Sequence, residues 1–519
     1  MSHEKSQTLY NAITDLREDL IEQALPPQKE PQTRDRKVLL LLTACLAMIV
    51  MLGAYDTGLF GHRGASQGSG GGQGVGEVYM SYAGPVFPLT AEEGSSLPAV
   101  RAIDYDFSDY APVQETYDTA DGPQVYNSWG TDALVTDRYT LTNPEAQDRT
   151  VTLLYPFAAS LNDPLDHLPV LTVDGQPVRA ELHPGPYTGG FTGANGEDTG
   201  ERLNLAELDS WEKYQALLEA GYQGRAFDPY PVLDRPVKVY RVTDCAAPAD
   251  FAGDLVSLRL DYHADETPPV LLTYGVNGGS NDERTGVFSR FFSFFPDRGD
   301  DPGIWLIALE GDLGDYTINA FPSGSCETPL EGASWRVEES ASTLDQVLSQ
   351  IWLRNQNDFG FSDLGRETVI AGALSDQDLL GLAAELLEDY GILSQDQVER
   401  YSFGMLEEIF GETASMGRVF YLRFDVTVPA EGEAQVTASM KKSASMDFVG
   451  AGRDRKGYDL VTRLGSSLDF TAQSASVSHT EYVELLDQNF GFDLASGVTE
   501  VPLDLDQPHY FLEVVRREK

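Results

Sequence analysis

Few residues of this chain are spaced for nucleophilic catalysis. A Ser-x-x-Lys pattern joins Ser439 to Lys442, and a lysine beside a serine can activate the hydroxyl for acyl transfer. The pattern falls within a predicted strand, and the Ser-Asp-Asn and Lys-Thr-Gly companions of such sites are absent. We therefore predict no catalytic residue.

Metal-binding patterns are also sparse. The histidines that follow the N-terminal segment stand singly, without the His-Glu-x-x-His spacing of zinc enzymes. They are His62, His167, His183, His263, His479 and His509. Acidic residues are so numerous that sequence alone cannot pick out the carboxylate pair of a glycosidase.

Two loops hold oxygen-bearing side chains of the kind that calcium prefers. They are Asp297, Asp300 and Asp301 in one loop, and Asn277, Asn281 and Asp282 in the other. Neither has EF-hand spacing. We predict no metal site and no cofactor, and keep the Asp297 loop as a calcium candidate.

The chain has three cysteines. Cys45 lies in an apolar run, whereas Cys245 and Cys326 lie in the part that we place outside the cell. An oxidising compartment permits a disulfide between these two. The alternative is a pair of buried free thiols, and sequence does not decide between them.

The element that organises the chain is the uncharged run 38–55, which is long enough as a helix to cross a bilayer. Arg34, Arg36 and Lys37 precede it, so the positive-inside rule places residues 1–37 in the cytoplasm. A lipoprotein signal ending at Cys45 is an alternative, but ten further apolar residues follow that cysteine. A buried core helix is another. We predict a single-pass plasma-membrane protein with its bulk extracytoplasmic.

Charge is distributed unevenly about that run. Residues 1–37 hold 6 Lys and Arg against 7 Asp and Glu, and the rest of the chain holds 30 against 75. This acidity argues against binding of nucleic acid or of an anionic membrane surface. Basic proteins, cations and sugars remain as outside partners.

The cytoplasmic segment reads as one amphipathic helix that ends before Pro26 and Pro27. Its apolar stripe recurs at helical spacing. The stripe consists of Leu9, Ile13, Leu16 and Leu20. The opposite faces are acidic, so lipid is a poor partner. A cytoplasmic protein partner and self-pairing remain, and a partly ordered tail without a partner is the alternative.

The outside part reads as mainly β. Strands rich in Val, Thr, Leu and Tyr are predicted over 133–142, 149–155 and 169–173, where they form a meander, and again over 255–262, 287–295, 419–428 and 434–440. Two stretches, 140–157 and 425–440, share a pattern of strand, acidic Pro-containing turn and strand. They are either copies of one sandwich unit or unrelated hairpins.

Helices interrupt these strands. Residues 342–355 carry an apolar stripe, and Ser375 with Asp378 forms a capping box before a second helix. Ser394 with Gln397 repeats the device. A short helix is predicted over 481–489, and a final strand over 510–515.

The predicted organisation is α+β, mainly β, with β-sandwich-like domains and a small helical insert. The segments are a cytoplasmic helix and basic stretch (1–37), a transmembrane helix (38–55), a Gly-rich linker (56–78), a β-rich region (79–340), a helical segment (341–411) and a C-terminal β-rich region (412–519).

The order of acidic amphipathic helix (residues 9–22), Pro-rich basic stretch and single membrane helix resembles membrane-anchored proteins of Gram-positive, clostridia-like bacteria. Some of these are grouped with anti-sigma-factor-like regulators. The resemblance covers the first 55 residues and implies a cytoplasmic partner. The zinc signature of such regulators is missing, because residues 1–37 contain only His3 and no cysteine.

Three functions are compatible with these features. A non-enzymatic extracytoplasmic binding or sensing protein needs only what the sequence contains. A transmembrane anti-sigma-like regulator would use the N-terminal helix, and a cell-envelope hydrolase would need a site with no sequence signature.

The N-terminal stripe gives a first prediction. A pull-down with residues 1–37 is expected to recover a specific cytoplasmic protein, and Leu16→Asp is expected to abolish the recovery by placing a charge on the apolar face. Glu18→Gln, on the acidic face, is the matched control. Equal recovery by wild type and Leu16→Asp would rule out this face as the contact.

Overall fold

The computed structural model describes residues 79–82, 84–92, 96–119, 122–163, 167–187, 230–263, 269–282, 284–296, 303–355, 374–389, 392–393, 403–415, 417–449, 455–463 and 465–517. All belong to the second of two units, Ser66–Lys519. The N-terminal helix with its Leu9, Ile13, Leu16 and Leu20 face, the apolar run and the linker lie outside these residues. Within them, no helix is both long and apolar enough to span a membrane.

The described chain is mainly β, as predicted, with three α-helices among the described residues. The first strands are β1 (Tyr79–Tyr82), β2 (Thr90–Ala91), β3 (Pro98–Asp106), β4 (Val113–Thr119), β5 (Gly122–Ser128), β6 (Ala133–Thr142), β7 (Arg149–Ala159), β8 (Val170–Val173), β9 (Gln176–Pro177) and β10 (Glu181–Tyr187). The middle strands are β11 (Pro236–Ala246), β12 (Val256–His263), β13 (Val270–Tyr274), β14 (Gly278–Asp282), β15 (Val287–Phe294), β16 (Ile304–Glu310), β17 (Tyr316–Phe321) and β18 (Ser334–Thr343).

The remaining elements include the helices. They are α1 (Leu344–Asn355), α2 (Asp376–Asp389), β19 (Phe403–Met405), α3 (Leu406–Ser415), β20 (Arg418–Val428), β21 (Glu433–Lys442), β22 (Met446–Val449), β23 (Arg455–Val461), β24 (Asp469–Ser478), β25 (Val483–Gln488), β26 (Glu500–Leu503) and β27 (His509–Arg516).

Within the part of the chain that the structure describes, the strands form five sheets and one separate hairpin. In order of neighbouring strands, sheet I is β26-β24-β3-β6-β21-β8-β9, sheet II is β10-β20-β7-β2, sheet III is β18-β11-β16-β13-β19, sheet IV is β14-β15-β12-β17 and sheet V is β1-β22-β23-β27-β25. Strands β4 and β5 form the hairpin, and among the described strands they pair with no other.

Sheets III and IV pack face to face, and the helices cover the other side of sheet III. The alternation along β16 shows this: Ile304 and Leu306 belong to the core shared with sheet IV, whereas Trp305 and Ile307 belong to the core that includes the helices. A strand that is covered on both faces needs apolar residues at every position. This accounts for the unbroken run that begins β16.

The helix predicted over 342–355 is observed as α1 (Leu344–Asn355), and the helix predicted after the Ser375–Asp378 capping box is observed as α2 (Asp376–Asp389). In the capping box, the Ser375 backbone N–H donates to Asp378 Oδ2 at 3.0 Å, and the Asp378 N–H donates to Ser375 Oγ at 3.2 Å. The Ser394 cap lies outside the described residues. The helix predicted over 481–489 is wrong, because β25 pairs there with β27, and sheet pairing overrides a weak helical preference.

The meander predicted for β6, β7 and β8 is also wrong. Strand β6 pairs with β21 in sheet I, and β7 pairs with β20 in sheet II. The two similar stretches therefore form two β-arches, β6–β7 and β20–β21, each of which crosses from sheet I to sheet II. The two arches lie side by side, and the strand pairs run between them, β6 with β21 and β7 with β20. We call this unit the double arch. Sheet I thus takes strands from both sides of the helical segment.

Asn143 joins the two turns of the double arch. Its Nδ2 donates to the carbonyls of Gln147, Val428 and Pro429 at 2.8, 3.1 and 3.1 Å. Its backbone N–H donates to the Gly432 carbonyl at 2.9 Å. One buried amide therefore fixes the register between the two arches at this end.

A buried ion pair lies between sheets I and II. Arg101 on β3 donates from Nε and Nη2 to both carboxylate oxygens of Asp137 on β6, each at 2.8 Å, and both side chains are fully buried. Tyr139 and Tyr155 donate to Asp137 Oδ2 at 2.6 and 3.4 Å. Burial alone would lower the pKa of Arg101, but the Asp137 carboxylate raises it overall, so the guanidinium stays charged.

The ion pair gives a second prediction. Asp137→Asn is expected to lower the free energy of unfolding by about 3–5 kcal/mol, because it leaves a buried guanidinium without its counter-charge. Chemical denaturation measures the change.

The matched control is Asp506→Asn at the surface. That carboxylate, 89% exposed, meets Arg463 at 3.3 Å, and an exposed pair contributes at most about 1 kcal/mol. Equal losses in the two variants would contradict the assignment of Arg101–Asp137 as the central polar contact.

Candidate functional site

A cleft opens at the end of the double arch that lies away from its turns. There β7 ends beside the start of β20, since Ala159 pairs with Arg418, and β21 ends beside the start of β6, since Lys442 pairs with Ala133. The cleft has a volume of about 290 Å³ and is lined by residues 157–160, 163, 167, 415, 417 and 440–443. This volume lies at the lower end for small-molecule sites.

Lys442 is the buried cation of the cleft. Along β21 the inward positions are apolar up to Met440, and Lys442 takes the next inward position, where it is 6% exposed. Its Nζ donates to the Ser443 carbonyl at 3.0 Å. Burial lowers the pKa of Lys442 to about 8, and the carboxylates of Asp459, Asp163 and Asp132 oppose this shift without cancelling it.

The neighbouring Lys441 is held by carboxylates. Its Nζ lies 3.4 Å from Asp109 Oδ1 and 3.5 Å from Asp132 Oδ2. Partial burial lowers the pKa of Lys441, but these two carboxylates raise it overall. For the Asp132 carboxyl the directions are reversed. Burial raises its pKa, but His167 at 3.6 Å, Lys441 and Ser443 together lower it overall.

Two hydrogen bonds from backbone N–H groups shape the loop that follows β7 and lines the cleft. The Ser160 N–H donates to Asp163 Oδ2 at 2.6 Å, and the Asn162 N–H donates to the Ala414 carbonyl at 3.2 Å, which ties the loop after β7 to the end of α3. Gly130 lets Asp109 approach, because a Cβ at that position would lie 1.7 Å from Asp109 Oδ2.

The arrangement suits ligand binding better than hydrolysis. Lys442 is a desolvated amine that faces a small cavity, and such an amine can hold an anion or act as a nucleophile. A glycosidase needs a carboxylic acid with a raised pKa, whereas the cations around Asp132 keep that carboxylate ionised.

The Ser-x-x-Lys pattern does not form a unit. Ser439 and Lys442 lie three residues apart in β21, so their side chains point to opposite faces of sheet I, and Ser439 is exposed while Lys442 is buried. The signal that could have found Lys442 is the alternation itself. Extending the inward positions of the predicted strand by one step places the lysine on the core face.

The oxygen-rich loops do not provide a metal site in the described part of the chain. Asp297, Asp300 and Asp301 lie outside the described residues. In the other loop, Asn281 Oδ1 accepts a hydrogen bond from Arg290 at 2.9 Å, and a guanidinium at this position repels a cation. Among the residues that the structure describes, no three His, Cys, Asp or Glu side chains converge to hold a metal ion.

The structure contains no disulfide bond between Cys245 and Cys326. Cys245 lies at a register shift of β11 in sheet III. Cys326 follows β17 of sheet IV in a turn with a φ of 51°. Burial raises the pKa of the Cys326 thiol, which keeps it protonated and unreactive.

A second, more open depression lies beside β25. Its volume is about 700 Å³, and its lining includes Glu481, Glu484, Asp487 and Asp493 with Arg517 at one side. An acidic surface of this kind is solvated and does not define a site.

Lys442 gives a third prediction, for stability against pH. An unfolded lysine titrates near about 10.4, so between pH 8 and pH 10 the unfolded chain binds a proton that the folded chain has lost, and stability rises with pH. Below pH 8 the buried charge destabilises the fold. Lys442→Met is therefore expected to stabilise the protein at pH 7 by up to about 3 kcal/mol, and the gain is expected to vanish by about pH 10.5.

Lys441→Met is the matched control and has the opposite sign. Its ion pairs stabilise the folded state below the unfolded pKa, so the variant is expected to lose stability at pH 7. Urea titrations at pH 7, 9 and 10.5 measure both effects. Destabilisation by Lys442→Met that does not change with pH would contradict the assignment.

The comparisons with known proteins add no relative. No protein-family model matches the chain, and neither the curated proteins nor the solved structures searched contain a match.

Proposed function

We propose that this chain is a single-pass, membrane-anchored extracytoplasmic binding or sensing protein, and that it binds a small anionic ligand in the Lys442 cleft. The observation that carries the proposal is a buried ammonium group that faces a cavity. Removing an ion from water costs several kcal/mol, and a counter-ion with good geometry offsets that cost. A bound carboxylate would supply the counter-charge and accept the remaining Nζ hydrogens.

The cleft also limits the ligand. A cavity of about 290 Å³ suits a molecule of a few carbon atoms with one carboxylate. Asp163 disfavours a second negative charge beside the first. The net charge of −46 repels anions at long range, but this repulsion is screened beyond about 8 Å at physiological salt. Binding therefore depends on the local contact with Lys442.

The anchor and its orientation rest on sequence. The apolar run 38–55 supports a single membrane span, and the positive charges at Arg34, Arg36 and Lys37 support a cytoplasmic N-terminus. A sensing protein needs an inside partner, and the apolar stripe that includes Leu9 and Leu16 favours one. This stripe also keeps an anti-sigma-like regulator as the second candidate function.

Ligand binding gives a fourth prediction. Full-length protein in detergent is expected to melt at a higher temperature in saturating propionate than in chloride of equal ionic strength, because a ligand of the folded state stabilises it. Acetate and succinate extend the panel. Lys442→Met is expected to remove the propionate effect.

Lys238→Met is the matched control. Lys238 lies on β11, where it pairs with Asp312 and Glu339, and its replacement is expected to leave the propionate effect intact. A response that survives Lys442→Met, or no response to any carboxylate of the panel, would overturn the proposed site.

A further inference from the structure

Two adjacent lysines of β21 have opposite surroundings. Lys441 Nζ lies within 3.5 Å of two carboxylates, those of Asp109 and Asp132. Lys442 Nζ lies on the core face and donates to the Ser443 carbonyl at 3.0 Å. The first amine is an ion-paired cation, and the second is a desolvated group at the wall of a cavity.

From this contrast we propose that Lys442 captures its ligand covalently, as an imine with the carbonyl carbon of a small oxo acid or aldehyde. The inference rests on the proposed function, because the same cleft receives the ligand. It adds the chemical class of the ligand and the atom that holds it.

The step is balanced without an oxidant or reductant. The neutral Nζ attacks the carbonyl carbon, and a C–N bond forms as the π bond of the carbonyl breaks. The nitrogen then loses one of its two protons and the oxygen gains one, which gives a carbinolamine. The hydroxyl receives a further proton and leaves as water as the C=N bond forms, and the iminium nitrogen then loses its remaining proton. His167 lines the same cavity and is the imidazole placed to exchange these protons.

The availability of the neutral amine supports this step. With a pKa of about 8, about a tenth of Lys442 is neutral at pH 7, which is roughly 200-fold more than for a lysine with an ordinary pKa. A less basic amine is also a weaker nucleophile, so the net preference is smaller. Lys442 is expected to react at least about 10-fold faster than the other lysines.

The cavity itself favours the imine over hydrolysis. Lys442 is 6% exposed, and the cavity walls include the apolar side chains of Phe157 and Met440. Limited access of bulk water slows the return of the imine to amine and carbonyl. Desolvation also favours a neutral imine over a buried ammonium.

The test is reductive trapping on the full-length protein at pH 7.5. Glyoxylate is the probe, and cyanoborohydride delivers hydride to the imine carbon and leaves a carboxymethyl group on the lysine. Peptide mapping by mass spectrometry then compares Lys442 with Lys441 and Lys238 in the same sample. The expected result is preferential labelling of Lys442, with the preference lost in urea.

The matched variants are Lys238→Met, which is expected to leave labelling of Lys442 intact because Lys238 pairs with Asp312 and Glu339 away from the cleft, and Lys442→Met, which is expected to leave only slow labelling elsewhere. Equal labelling of all lysines, or labelling of Lys441 before Lys442, overturns the inference on wild-type protein alone.

Propionate separates this inference from the proposed function, because propionate has no carbonyl that an amine can condense with. If propionate binding depends on Lys442 but glyoxylate does not label that residue, the anion site stands and the covalent step is wrong. If neither is observed, both proposals are wrong.

Discussion

The described structure depends on the buried contact between Arg101 and Asp137. All five N–H groups of the guanidinium are used, because Nη1 also donates to the carbonyls of Val461 and Thr462, and Nη2 to that of Phe87. Sheets I and V and the segment before β2 therefore meet at the Arg101 side chain, and Tyr155 of sheet II donates to its partner Asp137. Replacing one partner exposes the full cost of burying the other, so the contact specifies one arrangement of the sheets.

The double arch connects this arrangement of sheets to the candidate site. Its turns are fixed at one end by Asn143, and its strands run in register to the other end, where four strand termini meet without a turn. The loop after β7 and the end of α3 close around these termini and form the cleft. A cavity forms at this place because the turns of both arches lie at the opposite end and leave these strand termini unconnected to one another.

Most local structure was predictable because it follows from local patterns. A composition rich in Val, Thr, Leu and Tyr predicted β6 to the residue, and the Ser375–Asp378 capping box predicted the start of α2. Sheet membership was not predictable, since β6 and β7 are adjacent in sequence but pair with strands nearly three hundred residues away. The helix predicted over 481–489 failed because its partner, β27, lies 24 to 33 residues further along the chain, beyond the reach of a local pattern.

The sequence by itself determined that this chain is mainly β, strongly acidic and supplied with an apolar run and an apolar stripe ahead of its β-rich part, because composition and periodicity are local properties. It also contained two adjacent lysines of identical chemistry. Only the tertiary structure distinguished them, by bringing Asp109 and Asp132 to Lys441 and by burying Lys442 against a cavity. The pKa of a side chain depends on desolvation and on charges that folding brings near, and neither can be read from neighbours in sequence.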